Sequence, residues 1–87
     1  MPQGLFVTRT GDKGVRIDTL TPLGRRYYRS EAPIGARSFR IVVKTEDPEY
    51  EYATITPMAF GAAAPEDFFD DLEASGQSPV RVIWDVS

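Results

Sequence analysis

Arg37-Ser38-Phe39-Arg40-Ile41-Val42-Val43-Lys44-Thr45 alternates with a period of two. Phe39, Ile41 and Val43 fall on one face and Ser38, Arg40, Val42 and Lys44 on the other, the pattern of a strand with one buried and one wet side. Glu46-Asp47-Pro48-Glu49 follows as a turn, because proline cannot continue a ladder and the acids seek water. Alternation then resumes over Tyr50 to Thr56, which predicts a hairpin. Tyr50, Tyr52, Thr54 and Thr56 share one face and Glu51, Ala53 and Ile55 the other, so the buried side of this strand stays open.

Towards the amino terminus, Leu5 to Thr10 and Gly14 to Leu20 are rich in β-branched residues and are separated by Gly11-Asp12-Lys13-Gly14, whose glycines can take positive φ. This predicts another hairpin. Thr21-Pro22-Leu23-Gly24 is read as a turn leading into a strand over Arg25 to Ser30, which Glu31-Ala32-Pro33-Ile34-Gly35 ends. Towards the carboxyl terminus, Pro57 to Ala64 is an apolar connection holding Met58 and Phe60. Residues 65–75 are the one predicted helix: Pro65 suits a first position, Glu66 and Asp67 favour the positive end of the helix dipole, and Gly76 suits a left-handed stop. Phe68 and Leu72, with Phe69 beside them, form its apolar stripe. Val80, Val82, Trp84 and Val86 alternate with Arg81, Ile83 and Asp85, which predicts a final strand lying centrally. The expected fold class is α+β, mostly β: a single domain, residues 1–87, with an antiparallel or mixed sheet of five to six strands, allowing a partly closed barrel, and one helix near residues 65–75 packed on it.

A chain of 87 residues supports one core and no second lobe framing a deep cleft. Cysteine and histidine are both absent. This removes disulfides, thiolate nucleophiles, thiolate metal sites and the commonest proton shuttle, and favours a cytoplasmic setting. Met1 to Thr10 shows no targeting pattern, and no apolar run approaches the ~20 residues of a membrane helix. Gly11 to Gly14 lacks the required strand, the six-residue spacing that ends in lysine and hydroxyl, and the following helix of a phosphate-binding loop. No enzyme, cofactor or metal is expected, although a subunit of a larger assembly, joined through an exposed strand edge or through the Met58 and Phe60 segment, is a further class to weigh.

The formal net charge of −3 hides an asymmetry. Residues 1–45 carry nine basic and three acidic residues, and residues 46–87 carry one basic and ten acidic. The expected partner-binding residues are therefore Glu46, Asp47, Glu49 and Glu51 of the turn, Glu66, Asp67, Asp70, Asp71 and Glu73 of the helix, and the tyrosines Tyr50 and Tyr52, whose rings with polar tips suit contact surfaces. They point to a basic protein surface as partner, as in the small inhibitors of nucleic-acid-handling machines that bacteriophages encode. A plain solvated helix face is the ordinary alternative. The second reading is nucleic-acid binding through Arg25, Arg26, Tyr27 and Arg29, enlarged by Arg40, since cations beside a stacking ring hold single strands. Its strand would place Arg25, Tyr27 and Arg29 on one face.

Overall fold

The computed structural model describes residues 4–11, 14–56 and 64–86. The expectations for the Asp12-Lys13 hairpin tip and for Met58 and Phe60 lie outside them. Five strands form an antiparallel sheet: β1 (Phe6–Thr10), β2 (Arg16–Leu20), β3 (Ala36–Lys44), β4 (Tyr52–Ile55) and β5 (Ser78–Val86). A short helix α1 (Gly24–Tyr27) joins the first hairpin to the second, and a 3-10 turn (Pro65–Phe68) runs into helix α2 (Phe69–Ala74). The fold is α+β and mostly β, with helical residues where the 65–75 helix was expected.

Strand order is β1-β2-β5-β3-β4, so β5 fills the gap between two hairpins and is central, as its apolar face requires. The sheet stays open, with β1 and β4 as its edges, rather than curling into the partly closed barrel that the sequence allowed. A bulge where Val42 pairs Arg81 but Val43 pairs Pro79 lets β5 carry a proline near its start.

The alternation read in β3 is the one observed. Phe39, Ile41 and Val43 join Val82 and Trp84 of β5 in the core, with Leu20, Tyr28 and Phe69. Each fully buried aliphatic side chain here contributes about 1.5–3 kcal/mol. Phe39 meets Trp84 edge-on at 5.5 Å between ring centroids and Phe68 at 6.1 Å. In β4 the half-buried side is Ala53 and Ile55, which leaves Tyr52 and Thr54 outside. Helix α2 packs with Phe69 buried and with Phe68 and Leu72 half-buried beside it. It ends in a Schellman arrangement, Gln77 N donating to Leu72 O at 2.9 Å and Gly76 N to Glu73 O at 3.0 Å, with Gly76 at φ 80°. Gly76→Ala should lower stability by about 1 kcal/mol, read as a urea midpoint shift, because a Cβ is strained at that φ.

The expected strand over Arg25 to Ser30 is corrected to one helical turn. Thr21 starts it: its hydroxyl accepts the Gly24 N–H at 2.9 Å and its carbonyl accepts Arg25 N–H at 3.1 Å, with Pro22 following as it would in a first turn. The turn stops at Tyr28, whose extended backbone (ψ 131°) lets its side chain drop into the core.

Candidate functional site

The acidic residues gather at one end of the sheet. Ser75 to Gln77 lead from α2 into β5, where Ser78 is the register partner of Lys44, the last residue of β3. The turn after β3 therefore stands beside the end of α2. The Glu46 carboxylate lies close by: a methyl in place of the Gly76 hydrogen would be 3.5 Å from its Oε2. The turn is held by local bonds. The Thr45 hydroxyl donates to the Tyr50 carbonyl, Thr45 N donates to Glu51 O at 2.9 Å, and Asp47 Oδ1 accepts the Glu49 N–H at 2.8 Å. Glu46, Asp47, Glu49, Glu51, Asp67, Asp70, Asp71 and Glu73 are all exposed, and none forms an ion pair with a described cation. Tyr50 (65% exposed) and Tyr52 (54%) flank them. Asp67 also accepts the Ala64 N–H at 2.8 Å at the start of the 3-10 turn.

Glu66 stands apart from this surface. It is half-buried and accepts hydrogen bonds from Ser30 N and Ser30 Oγ, both at 3.2 Å. It thereby joins the helical segment to the chain after α1, where Arg26, Tyr27, Tyr28, Arg29, Ser30 and Glu66 line a shallow cavity of 530 Å³. Arg26 lies over the Tyr27 ring at 5.8 Å, and Tyr27 is 57% exposed. Arg25, Tyr27 and Arg29 do not share a strand face, because a helical turn spreads them around its axis. Nor does Arg40 enlarge this group. It projects from the opposite side of the sheet, where Asp85 holds it at 2.9 Å.

A buried charge network that the sequence reading left out sits behind the cavity. Asp18, fully buried on the core side of β2, accepts hydrogen bonds from Arg16 Nε (3.0 Å) and Nη2 (2.9 Å), Thr8 Oγ1 (2.9 Å) and Tyr28 Oη (2.8 Å). Arg16 Nη1 donates onward to Glu31 O at 2.7 Å. Burial pushes the Asp18 carboxyl up, but the bonds from Arg16, Tyr28 and Thr8 outweigh it and hold the group below the usual carboxylate range. Burial, then the bond to Asp18, pushes the Tyr28 phenol up, and the bond to Asp18 raises Arg16. With all of Asp18's acceptor capacity in use, the network is a clasp between β1, β2 and the segment after α1. It has no group free for chemistry.

Among the described residues no helix is long and apolar enough to cross a membrane, and no cluster of side chains is suited to hold a metal ion. Compared with protein-family models, curated proteins and solved structures, the chain matches none.

Proposed function

We propose that this chain is a non-enzymatic protein-binding module acting in the cytoplasm, which docks its acidic rim onto a basic protein surface and in doing so acts as an inhibitor of a nucleic-acid-handling partner. The observation that carries this reading is the approach of the Glu46 carboxylate to Gly76, which sets the start of the β3–β4 turn beside the end of α2. Carboxylates so placed, with no described cation to neutralise them, project a field that speeds encounter with a basic partner and selects against acidic ones. Exposed Tyr50 and Tyr52 add apolar contact area at its margin. Catalysis is disfavoured on chemical grounds, since the chain lacks histidine and cysteine and its exposed carboxylates stand in no cleft.

The test is affinity capture from host lysate, with and without nuclease, using the wild type and a Glu49→Lys, Asp70→Lys, Asp71→Lys variant shown by circular dichroism to be folded. Stoichiometric capture of a basic protein that resists nuclease and falls at least about tenfold in the variant is the expected result. Undiminished capture by the variant overturns the reading. The Arg26, Tyr27 and Arg29 cavity favours a second reading, single-stranded nucleic-acid binding. Salt-sensitive anisotropy of a labelled oligonucleotide, lost in Arg26→Glu, Arg29→Glu, would support it instead.

A further inference from the structure

The uncovered face of the sheet plays no part in the reading above. Registers place Arg9, Ile17, Ile83 and Arg40 in one row across β1, β2, β5 and β3, and Val7, Thr19, Arg81, Val42 and Thr54 in the next. Its centre is therefore a strip of half-buried Ile17, Ile83 and Val42, continued at the edge by Val7, which is 67% exposed. Arg40 is paired with Asp85, whereas Arg9, Lys44 and Arg81 are exposed and form no ion pair with a described carboxylate. Two such faces cannot pack together, because their cations would meet. A nucleic-acid strand finds no stacking ring at the aliphatic centre, and Tyr52 lies out on edge strand β4. An acidic protein surface with an apolar margin fits both features.

We propose that the occupant is a second copy of this chain, docked through its α2 and β3–β4 turn. Charge complementarity is the argument: Asp70, Asp71 and Glu73 on one copy find in Arg9, Lys44 and Arg81 of the next the cations that neither set has within its own described residues. Phe68 of the 3-10 turn and Leu72 of α2, half-buried against the core, offer their exposed remainder as the apolar margin for the Ile17 and Ile83 strip. The helix packs on the core side of the sheet and the cations lie on the other side, so the contact is heterologous. The pair keeps one free surface of each kind, one on each copy, and association propagates into a ring or filament. This inference rests on the acidic rim being a docking surface, and gives that surface a second occupant beside the proposed basic partner.

Sedimentation velocity of the full chain at millimolar protein tests it. The wild type should exceed twice its 9.7 kDa monomer mass at low salt and return to monomer at high salt. Two neutralised variants, Arg9→Gln, Lys44→Gln, Arg81→Gln and Asp70→Asn, Asp71→Asn, Glu73→Gln, should each be folded and monomeric. Mixed, they should stop at a 1:1 pair, since each retains only one of the two surfaces. A wild type that is monomeric at every salt overturns the inference while leaving the acidic rim to be judged by its capture of other proteins. Association abolished by the basic-face variant but not by the acidic one overturns the inference too, since the basic face then docks on something other than the acidic rim. Monomeric wild type that binds labelled oligothymidine through Arg9, Lys44 and Arg81 assigns the face to nucleic acid and also overturns the inference.

Discussion

Asp18→Ala should cost about 3–5 kcal/mol, because it leaves a half-buried guanidinium and a buried phenol without their shared acceptor. For a domain of this size that is a fall of roughly 15–30 °C in the thermal midpoint, measurable by circular dichroism, and a large part of the ~5–15 kcal/mol that holds such domains folded. The loss is distributed. Tyr28, 4% exposed, forfeits the bond that anchors it under Phe6 and Phe69, with ring centroids at 5.2 and 5.8 Å. Arg16 keeps only its bond to Glu31 O, and Thr8 loses its tie across the first hairpin. A drop of under about 1 kcal/mol would mean that water replaces the carboxylate and that the network is not the clasp described here. The pH dependence carries the same signature. The folded Asp18 carboxyl titrates below its ordinary 3.8, so in acid the unfolded chain takes up the proton first and stability falls as pH drops through that value. Tyr28 is raised above its ordinary 10.0, so the unfolded chain loses that proton first and stability falls as pH rises past it. Urea midpoints against pH should show both limbs in the wild type, a shallower acid limb in Asp18→Asn and a shallower alkaline limb in Tyr28→Phe.

Gly24→Ala should destabilise by about 3 kcal/mol, at the upper end of what overpacking costs, although alanine is otherwise the better helix former. A Cβ at Gly24 would stand 1.6 Å from the carbonyl oxygen of Leu5 and 2.7 Å from its carbon. Neither side can yield cheaply. The Leu5 carbonyl accepts from Thr21 N at 3.1 Å and Thr21 Oγ1 at 3.0 Å, and the same hydroxyl accepts the Gly24 N–H. Moving the chain before β1 away from α1 therefore breaks the bonds that start α1. Chemical denaturation of Gly24→Ala beside Arg25→Ala, one residue on, separates this close approach from any general effect on the helix. Equal midpoints for the two variants would show that the backbones separate without loss.

Strands were legible in all five places, and the two whose inner side was also legible share one property, a period-two alternation with one wholly apolar face. Phe39, Ile41 and Val43 in β3 and Val82 and Trp84 in β5 each identify a strand and its inner side, and β5's apolar character placed it centrally. The stretch after Gly24 misled because Thr21-Pro22 opens a helical turn as readily as a β-turn, and Arg-Arg-Tyr-Tyr suits either state. What decides it is Tyr28 reaching Asp18, a tertiary bond invisible to local pattern. Asp18 itself alternates in step with Leu20, but a carboxylate reads as solvent-facing until Thr8, Arg16 and Tyr28 are known to converge on it. For the acidic surface, composition named the residues. Their contiguity depends on Ser78 pairing with Lys44, which only topology supplies. The basic face stayed hidden because Arg81, the lone cation of the second half, joins Arg9 and Lys44 only once β5 enters between the hairpins.

That insertion makes completion of the sheet depend on its last strand. The two hairpins are local structures that can close in microseconds, yet neither has an inner neighbour until residues 78–86 arrive, and β5 must meet Thr19 through Arg81 across most of the chain. Until then the inner edges of β2 and β3 lie open, and these are the edges most prone to pair with another molecule. The sheet is complete only once β5 has paired on both sides, and the entropy of closing so long a loop is met by those two ladders together.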